Sequence, residues 1–159
     1  MVQKGDIILR NGEVCEHFYL IESGFGRVFY YKDGKDVTAW FANETMIVSA
    51  IDSLFTGLTT DYNIEFLEDS IIWTLHYASL EPIFNLYPEI ERIGRILITH
   101  NYLLLDERMK LFAFCNAEER YDRLIQQMPD VFKRAKLGNI ASYLGISQEH
   151  LSRIRAKTK

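Results

Sequence analysis

Leu137-Gly138-Asn139-Ile140-Ala141-Ser142-Tyr143-Leu144-Gly145-Ile146-Ser147-Gln148-Glu149-His150-Leu151-Ser152-Arg153-Ile154-Arg155 carries the densest set of local constraints in the chain. Two short helices that cross closely need a small residue where they meet, and Ala141 supplies it. Four residues later the turn needs a residue that tolerates positive φ, and Gly145 stands there. The second helix needs an N-cap, and Ser147 can accept from the free N–H groups of its first turn. Ile140, Leu144, Ile146, Leu151 and Ile154 fall at the 3–4 spacing of one inner apolar face. All these requirements are met in a single register, which predicts helices over Leu137–Leu144 and Gln148–Lys157 joined as a helix-turn-helix. An ordinary αα-hairpin would share the apolar spacing, but it would not require a polar and basic outer face.

That outer face carries Gln148, Glu149, Ser152, Arg153 and Lys157. The first residues of a recognition helix normally reach base edges. Gln can pair with adenine, Glu can accept from cytosine, and Arg can grip guanine with two hydrogen bonds, each good pair giving about 1–3 kcal/mol of discrimination. Ser147, Gln148, Glu149, Ser152 and Arg153 are therefore candidate base readers. Lys136, Arg155 and Lys159 suit phosphates, where they set register and salt dependence but not sequence, and Lys157 joins the DNA-binding set.

Upstream, Asn116 with Glu119 three residues on predicts a capping box. Tyr121, Leu124, Ile125 and Met128 form one apolar face behind it, and Pro129-Asp130 reads as the stop. Pro88 suits the first turn of a long helix, where its missing N–H costs nothing. That helix is expected to run to about Phe112. Ile90, Ile93, Leu97, Leu104 and Leu111 recur along it, with His100 in the same seam. The stripe lasts about three heptads, which predicts a helix–helix dimer seam; packing on the preceding β half is the alternative. Ser79 reads as the cap of a short helix ending at Leu86.

The first half reads as β. Asp6–Leu9, His17–Ile21, Gly26–Tyr31, Asp36–Phe41, Tyr62–Leu67 and Ile71–His76 are short β-branched and aromatic runs, punctuated at Gly12, Ser23-Gly24 and Asp33-Gly34. Asp33-Gly34 is a hairpin signal. A short helix is expected over Val48–Phe55. Strands at this spacing suggest a barrel or sandwich.

The 159 residues suffice for one large domain or a medium one plus a small one. The composition, 48% hydrophobic and 25% charged, is that of a soluble globular protein. No apolar run reaches the roughly 18 residues that span a bilayer, and the start leads directly into a strand-like run rather than a signal peptide. Cys15 and Cys115 have neither a CxxC partner nor metal-ligand spacing, which fits a reduced cytoplasmic setting. The net charge of −4 hides an asymmetry. Up to Cys115 there are 17 acidic and 9 basic residues, and from Asn116 onward 5 acidic and 9 basic, so an acidic body precedes a basic tail. That split suggests two modules, one of which meets a polyanion; a solvated helical face is the plainer alternative.

With these residues in place, the whole chain resembles the Crp/Fnr family, the cyclic-AMP receptor protein and its relatives. The resemblance rests on Lys4-Gly5-Asp6-Ile7-Ile8, Phe18-Tyr19-Leu20-Ile21-Glu22-Ser23-Gly24, the Asp33-Gly34 hairpin, Glu65-Phe66-Leu67-Glu68-Asp69-Ser70 and the segment Ile146–Ile154. It implies an α+β fold: an N-terminal double-stranded β-roll (jelly-roll-like) over residues 1–87, a dimerisation helix over 88–113, and a helix-turn-helix DNA-binding domain over 114–159. It also implies a transcription regulator rather than an enzyme, with double-stranded DNA and a second copy of the chain as partners, no membrane and no cofactor. The family's base-reading positions fall on Gln148, Glu149 and Arg153.

The chain departs from the family in one place with chemical consequences. Members that bind cyclic nucleotides carry Gly-Glu, a short helix, and then Arg-Ser or Arg-Thr, the Arg pairing with the phosphate. Here the corresponding stretch is Met46–Phe55 followed by Thr60-Asp61-Tyr62-Asn63, without Gly-Glu and with Tyr62 near the Arg position. No Lys or Arg occurs from Asp36 to Glu91, while Glu44, Asp52, Asp61, Glu65, Glu68 and Asp69 do. A buried phosphate would meet uncompensated repulsion there, so cyclic AMP and cyclic GMP are not expected to bind in the usual way. A neutral or cationic effector near Ser49, Ser53, Tyr62 and Asn63, or none, remains open. The iron–sulfur and haem branches fit poorly, since two distant Cys and the scattered His17, His76, His100 and His150 make no ligand set. Both ends also look short for the family, as in a trimmed chain or a compact subfamily.

Two other functions compete. A cupin-like metalloenzyme would need closely spaced His and Glu ligands, and no HxH occurs. A dimeric effector-binding module that has lost DNA binding would not need the polar face of Gln148–Arg153.

Overall fold

The computed structural model describes residues 1–157. Short β-branched and aromatic runs separated by turns form seven strands among them: β1 (Ile7–Leu9), β2 (His17–Ser23), β3 (Gly26–Lys32), β4 (Lys35–Ala42), β5 (Ile47–Val48), β6 (Asn63–Phe66) and β7 (Ile71–His76), with helix α1 (Ile51–Thr56) between β5 and β6. The strands make two antiparallel sheets, one in the order β1-β6-β3-β4 and one in the order β5-β2-β7. Asp33 and Gly34 both take left-handed φ, 51° and 73°. This is the mirror-image turn whose twist suits a two-residue hairpin, and it sets β3 against β4 from Gly26 opposite Ala42 to Lys32 opposite Lys35. Leu9, Ile21, Val28, Val48, Leu54, Ile64 and Phe66 meet in one buried core.

The helix expected over Val48–Phe55 starts later, at Ile51, because Ile47 and Val48 pair with Leu20 and Tyr19 as a strand. Gly24 is required where it stands. Its φ is +118°, and a Cβ there would lie 2.0 Å from Ser70 Oγ.

A charged group is buried in the larger sheet. Arg27 Nε donates to Glu65 at 2.7 Å, Nη2 to Asp36 at 3.0 Å and Nη1 to Thr38 Oγ1 at 3.2 Å, and its guanidinium lies 4.2 Å over the Phe29 ring. Burial works against the charge, but the hydrogen bonds that Arg27 donates to Asp36 and Glu65 outweigh it and the Arg27 pKa is raised. Removing both carboxylates would leave a buried charge unpaired, which is the costly case.

The chain divides into two compact units, Met1–Tyr77 together with the residues from Asp130 onward, and Ala78–Pro129. The first unit adds three helices to the strands: α5 (Val131–Arg134), α6 (Leu137–Leu144) and α7 (Gln148–Lys157). The second unit contains α2 (Leu80–Leu86), α3 (Pro88–Phe114) and α4 (Ala117–Gln127).

Within the first unit, α6 packs on β4. Ser142 Oγ accepts the Thr38 N–H at 3.1 Å and donates to the Asn139 carbonyl at 2.9 Å. The Tyr143 ring lies 5.0 Å from that of Phe41, which in turn stacks on Phe25.

Within the second unit, Pro88 occupies the first turn of α3, and the helix continues to Phe114, two residues beyond the expected end. None of its residues is buried. Ser79 stands at the N-cap of α2 but makes no capping bond: its backbone is already helical, because a 3₁₀ turn over Tyr77–Ser79 runs straight into the helix. The Asn116 capping box forms in full, with Asn116 Oδ1 accepting from Glu118 and Glu119 and Glu119 accepting from the Asn116 N–H. Glu107 on α3 accepts from Arg123 Nε at 2.7 Å and from Gln127 at 3.4 Å, which ties the two helices together.

Candidate nucleic-acid interface

α6 and α7 form the helix pair that the spacing of small and apolar residues predicts, over the same bounds. Gly145 ends α6 at φ 68°, and its N–H reaches the Ala141 and Ser142 carbonyls. Such a left-handed residue closes a helix without the steric cost a Cβ would bring. Ile146 N–H returns to the Ala141 carbonyl at 3.0 Å. Ser147 Oγ then accepts the His150 N–H at 3.1 Å and so caps α7. Ile140, Ala141, Leu144, Leu151 and Ile154 are all buried.

The opposite face is open. Ser147, Gln148, Glu149, Ser152 and Arg153 are exposed, and Lys136, at the N-cap of α6, and Lys157 are exposed as well. Arg155 is only partly exposed, because its guanidinium lies 4.1 Å over the Phe132 ring. From Val131 to Lys157 the only acidic residue is Glu149, against Lys133, Arg134, Lys136, Arg153, Arg155 and Lys157. Lys159 lies outside the described residues.

Gly138 is a contributor that the pattern of the sequence did not single out. A Cβ there would sit 3.0 Å from Gln148 Nε2, so the Gln148 side chain rests across the first turn of α6. The contact joins two residues ten positions apart on different helices, and only the crossing geometry reveals it.

The four residues expected to border an effector pocket lie in the β body, and the side-chain polar atoms of Ser49, Ser53 and Asn63 are engaged by the protein. Ser53 Oγ accepts the Cys15 N–H at 2.8 Å and donates to the Leu58 carbonyl. Ser49 Oγ donates to the His17 carbonyl at 2.9 Å and lies 3.3 Å from Cys15 Sγ. Asn63 Oδ1 accepts the Asn11 N–H at 3.1 Å, and its amide donates to the Phe29 carbonyl. Tyr62 meets the Tyr30 ring edge-on, and burial raises its phenol pKa. Of the histidines, His17 and His76 face each other across β2 and β7 with rings 4.9 Å apart. No helix among the described residues is long and apolar enough to cross a membrane.

Residues 1–87 match the family described as the cyclic nucleotide-binding domain. No curated protein matches the chain. Among solved structures, FixK2 from Bradyrhizobium japonicum superposes with a TM-score of 0.82 at 19% identity, over 98% of this chain and 80% of that one. A CRP-family transcriptional regulator from Thermus thermophilus gives 0.76 at 15% identity, over 98% and 82%. A CooA mutant from Carboxydothermus hydrogenoformans gives 0.75 at 18% identity, over 98% and 73%. At these identities the likeness is one of fold alone: antiparallel sheets followed by helices.

Proposed function

The chain belongs to the cyclic nucleotide-binding domain family, and from that membership we propose that it is a sequence-specific DNA-binding transcription regulator of the Crp/Fnr type that does not answer to cyclic nucleotides. The observation that carries this reading is the α6–α7 pair, capped, tightly turned and apolar inside, with Gln148, Glu149, Ser152 and Arg153 exposed along one side. It is the arrangement of a helix-turn-helix whose second helix enters the major groove. Ser147, Gln148, Glu149, Ser152 and Arg153 are the base-reading side. Lys136, Arg155 and Lys157 contact phosphates.

In this reading residues 1–87 are the regulatory β-roll, 88–113 the dimerisation helix and 114–159 the DNA-binding domain. The seam Ile90, Ile93, Leu97, Leu104 and Leu111 joins two copies, which explains a long helix with no buried residue in the single chain. Two-fold symmetry then sets two recognition helices about one DNA turn apart on a near-palindromic site. The absence of Lys and Arg between Asp36 and Glu91, in the segment where the family holds the cyclic phosphate, supports the loss of cyclic-nucleotide response.

Selection from a random DNA pool tests the reading. It should return a two-fold symmetric consensus. Arg153→Ala should cost about 1–3 kcal/mol on that consensus and relax one position in each half-site. Failure to enrich any sequence would refute DNA reading. Micromolar binding of cyclic AMP by calorimetry would refute the second half of the proposal.

A further inference from the structure

Arg134 counts toward the basic tail, yet it does not face solvent as a phosphate ligand would. Its Nη1 and Nη2 grip the Glu44 carboxylate side by side at 3.0 and 2.7 Å. Nε and Nη2 reach Glu68 at 3.2 and 2.5 Å. All three guanidinium nitrogens are therefore committed, and the guanidinium lies 4.7 Å over the Phe25 ring. Glu44 is held in turn, since its Oε1 accepts the Gly24 N–H at 3.1 Å. Three separate connections of the β body thus meet on one side chain: β2–β3 through Gly24 and Phe25, β4–β5 through Glu44, and β6–β7 through Glu68.

Freeing this guanidinium for DNA would leave two carboxylates next to a polyanion, with no cation between them. The clamp also has a position that matters. Arg134 ends α5, two residues before the Lys136 N-cap of α6, and α6 itself touches β4 through Ser142 and Tyr143. Base readout needs side chains held to within a fraction of an ångström. α7 takes its place from α6 through the Gly145 turn.

Resting on the DNA-reading assignment above, we propose that Arg134 is a positioning residue for that reading: clamped by Glu44 and Glu68, it fixes α5 and α6 on the β body and never contacts DNA. Base discrimination by α7 then depends on two glutamates in the β body, and charge removal at either end of the clamp impairs recognition in the same direction.

The test uses the full chain and two duplexes: the consensus from the random pool, and the same duplex with the pair read by Arg153 changed. Dissociation constants are measured across a salt series for wild type, Arg134→Ala, Arg134→Lys and the double variant Glu44→Gln/Glu68→Gln. Arg134→Ala and the double variant should each lower the ratio of affinities for the two duplexes by about tenfold, within the range of residues that couple to a ligand without touching it. The salt slope should not change. Arg134→Lys, which keeps the charge but loses the fork, should fall in between. A lower folded fraction would weaken both duplexes alike and leave the ratio intact, so an unchanged ratio overturns the proposal. A salt slope flattened by about one in Arg134→Ala overturns it too, as does tighter binding by the glutamine pair, because both are signatures of a phosphate ligand. A wild-type chain that binds neither duplex overturns the DNA reading and this inference together. Normal wild-type binding with unmoved variants overturns the inference alone.

Discussion

Glu44 shows how one side chain is set by its neighbours and what that implies for acid stability. The hydrogen bonds from Arg134 hold its carboxyl at about 2, below its ordinary 4.5, with desolvation opposing and the Gly24 N–H assisting. A group whose folded pKa is depressed contributes stability above its ordinary value and loses it as pH falls toward the folded one. The window here runs from about pH 4.5 down to about 2. Glu44 is 41% exposed, so solvent screening makes the pair worth less than the shift alone implies. Glu44→Gln should therefore flatten the pH dependence of the unfolding midpoint across that window; an unaltered dependence would mean that other carboxylates carry it. Gly24→Ala acts on the same corner by sterics. With φ at +118° and Ser70 Cα 2.8 Å from the new Cβ, it should destabilise by about 1–3 kcal/mol or more in urea unfolding. The sequence exposes Gly24 as a turn residue, but it cannot show that Arg134 meets a glutamate 90 positions earlier. Ion pairs of long separation leave no local pattern, so a count of charges shows Arg134 only as one more cation of the basic tail.

Elements with a strong local code are legible, and those made by tertiary pairing are not. The Asp33-Gly34 hairpin, the α6–α7 pair and the α4 capping box each follow from residues a few positions apart. Nothing in the local sequence announces β5 or α5. One has two residues and the other four, too few to show a period. Ser79 has the right residue type for a cap, but the 3₁₀ turn before it already supplies helical geometry. The α4 cap offers a clean test. Asn116 satisfies two N–H groups and Glu119 returns the favour, so Asn116→Ala should cost about 1 kcal/mol, read as a lower melting temperature. Asn116→Ser keeps an acceptor and should recover most of that loss. A silent Asn116→Ala would mean that the first turn of α4 is held by contacts other than its cap.

For the whole molecule the decisive question is what covers α3. The stripe read from the sequence is Ile90, Ile93, Leu97, Leu104 and Leu111, and in the single chain Ile93 and Leu97 remain 55% and 40% exposed. Ile96, Ile98, Tyr102, Leu103, Leu105 and Met109 are exposed beside them, so the apolar surface is broader than a single seam. Soluble monomers rarely leave so much contiguous apolar area open, and a second α3 of the same pattern is the partner that two-fold association would bring. A charge placed there separates assembly from folding. Glu is a good helix former, and at a site open in the single chain it costs the isolated fold little, whereas across a two-fold seam it faces its own copy as well as losing the apolar contact. Ile93→Glu with Leu97→Glu should therefore convert a dimer to a monomer in sedimentation, with near-native circular dichroism. The monomer should bind a palindromic site with its two half-sites no longer coupled, so affinity falls toward that of a single half-site while base preference within the half-site persists. A variant that stays dimeric would place the seam elsewhere on the molecule. A variant that loses half-site preference as well would show that pairing through α3 does more than bring two reading heads together, and that the seam also shapes each one.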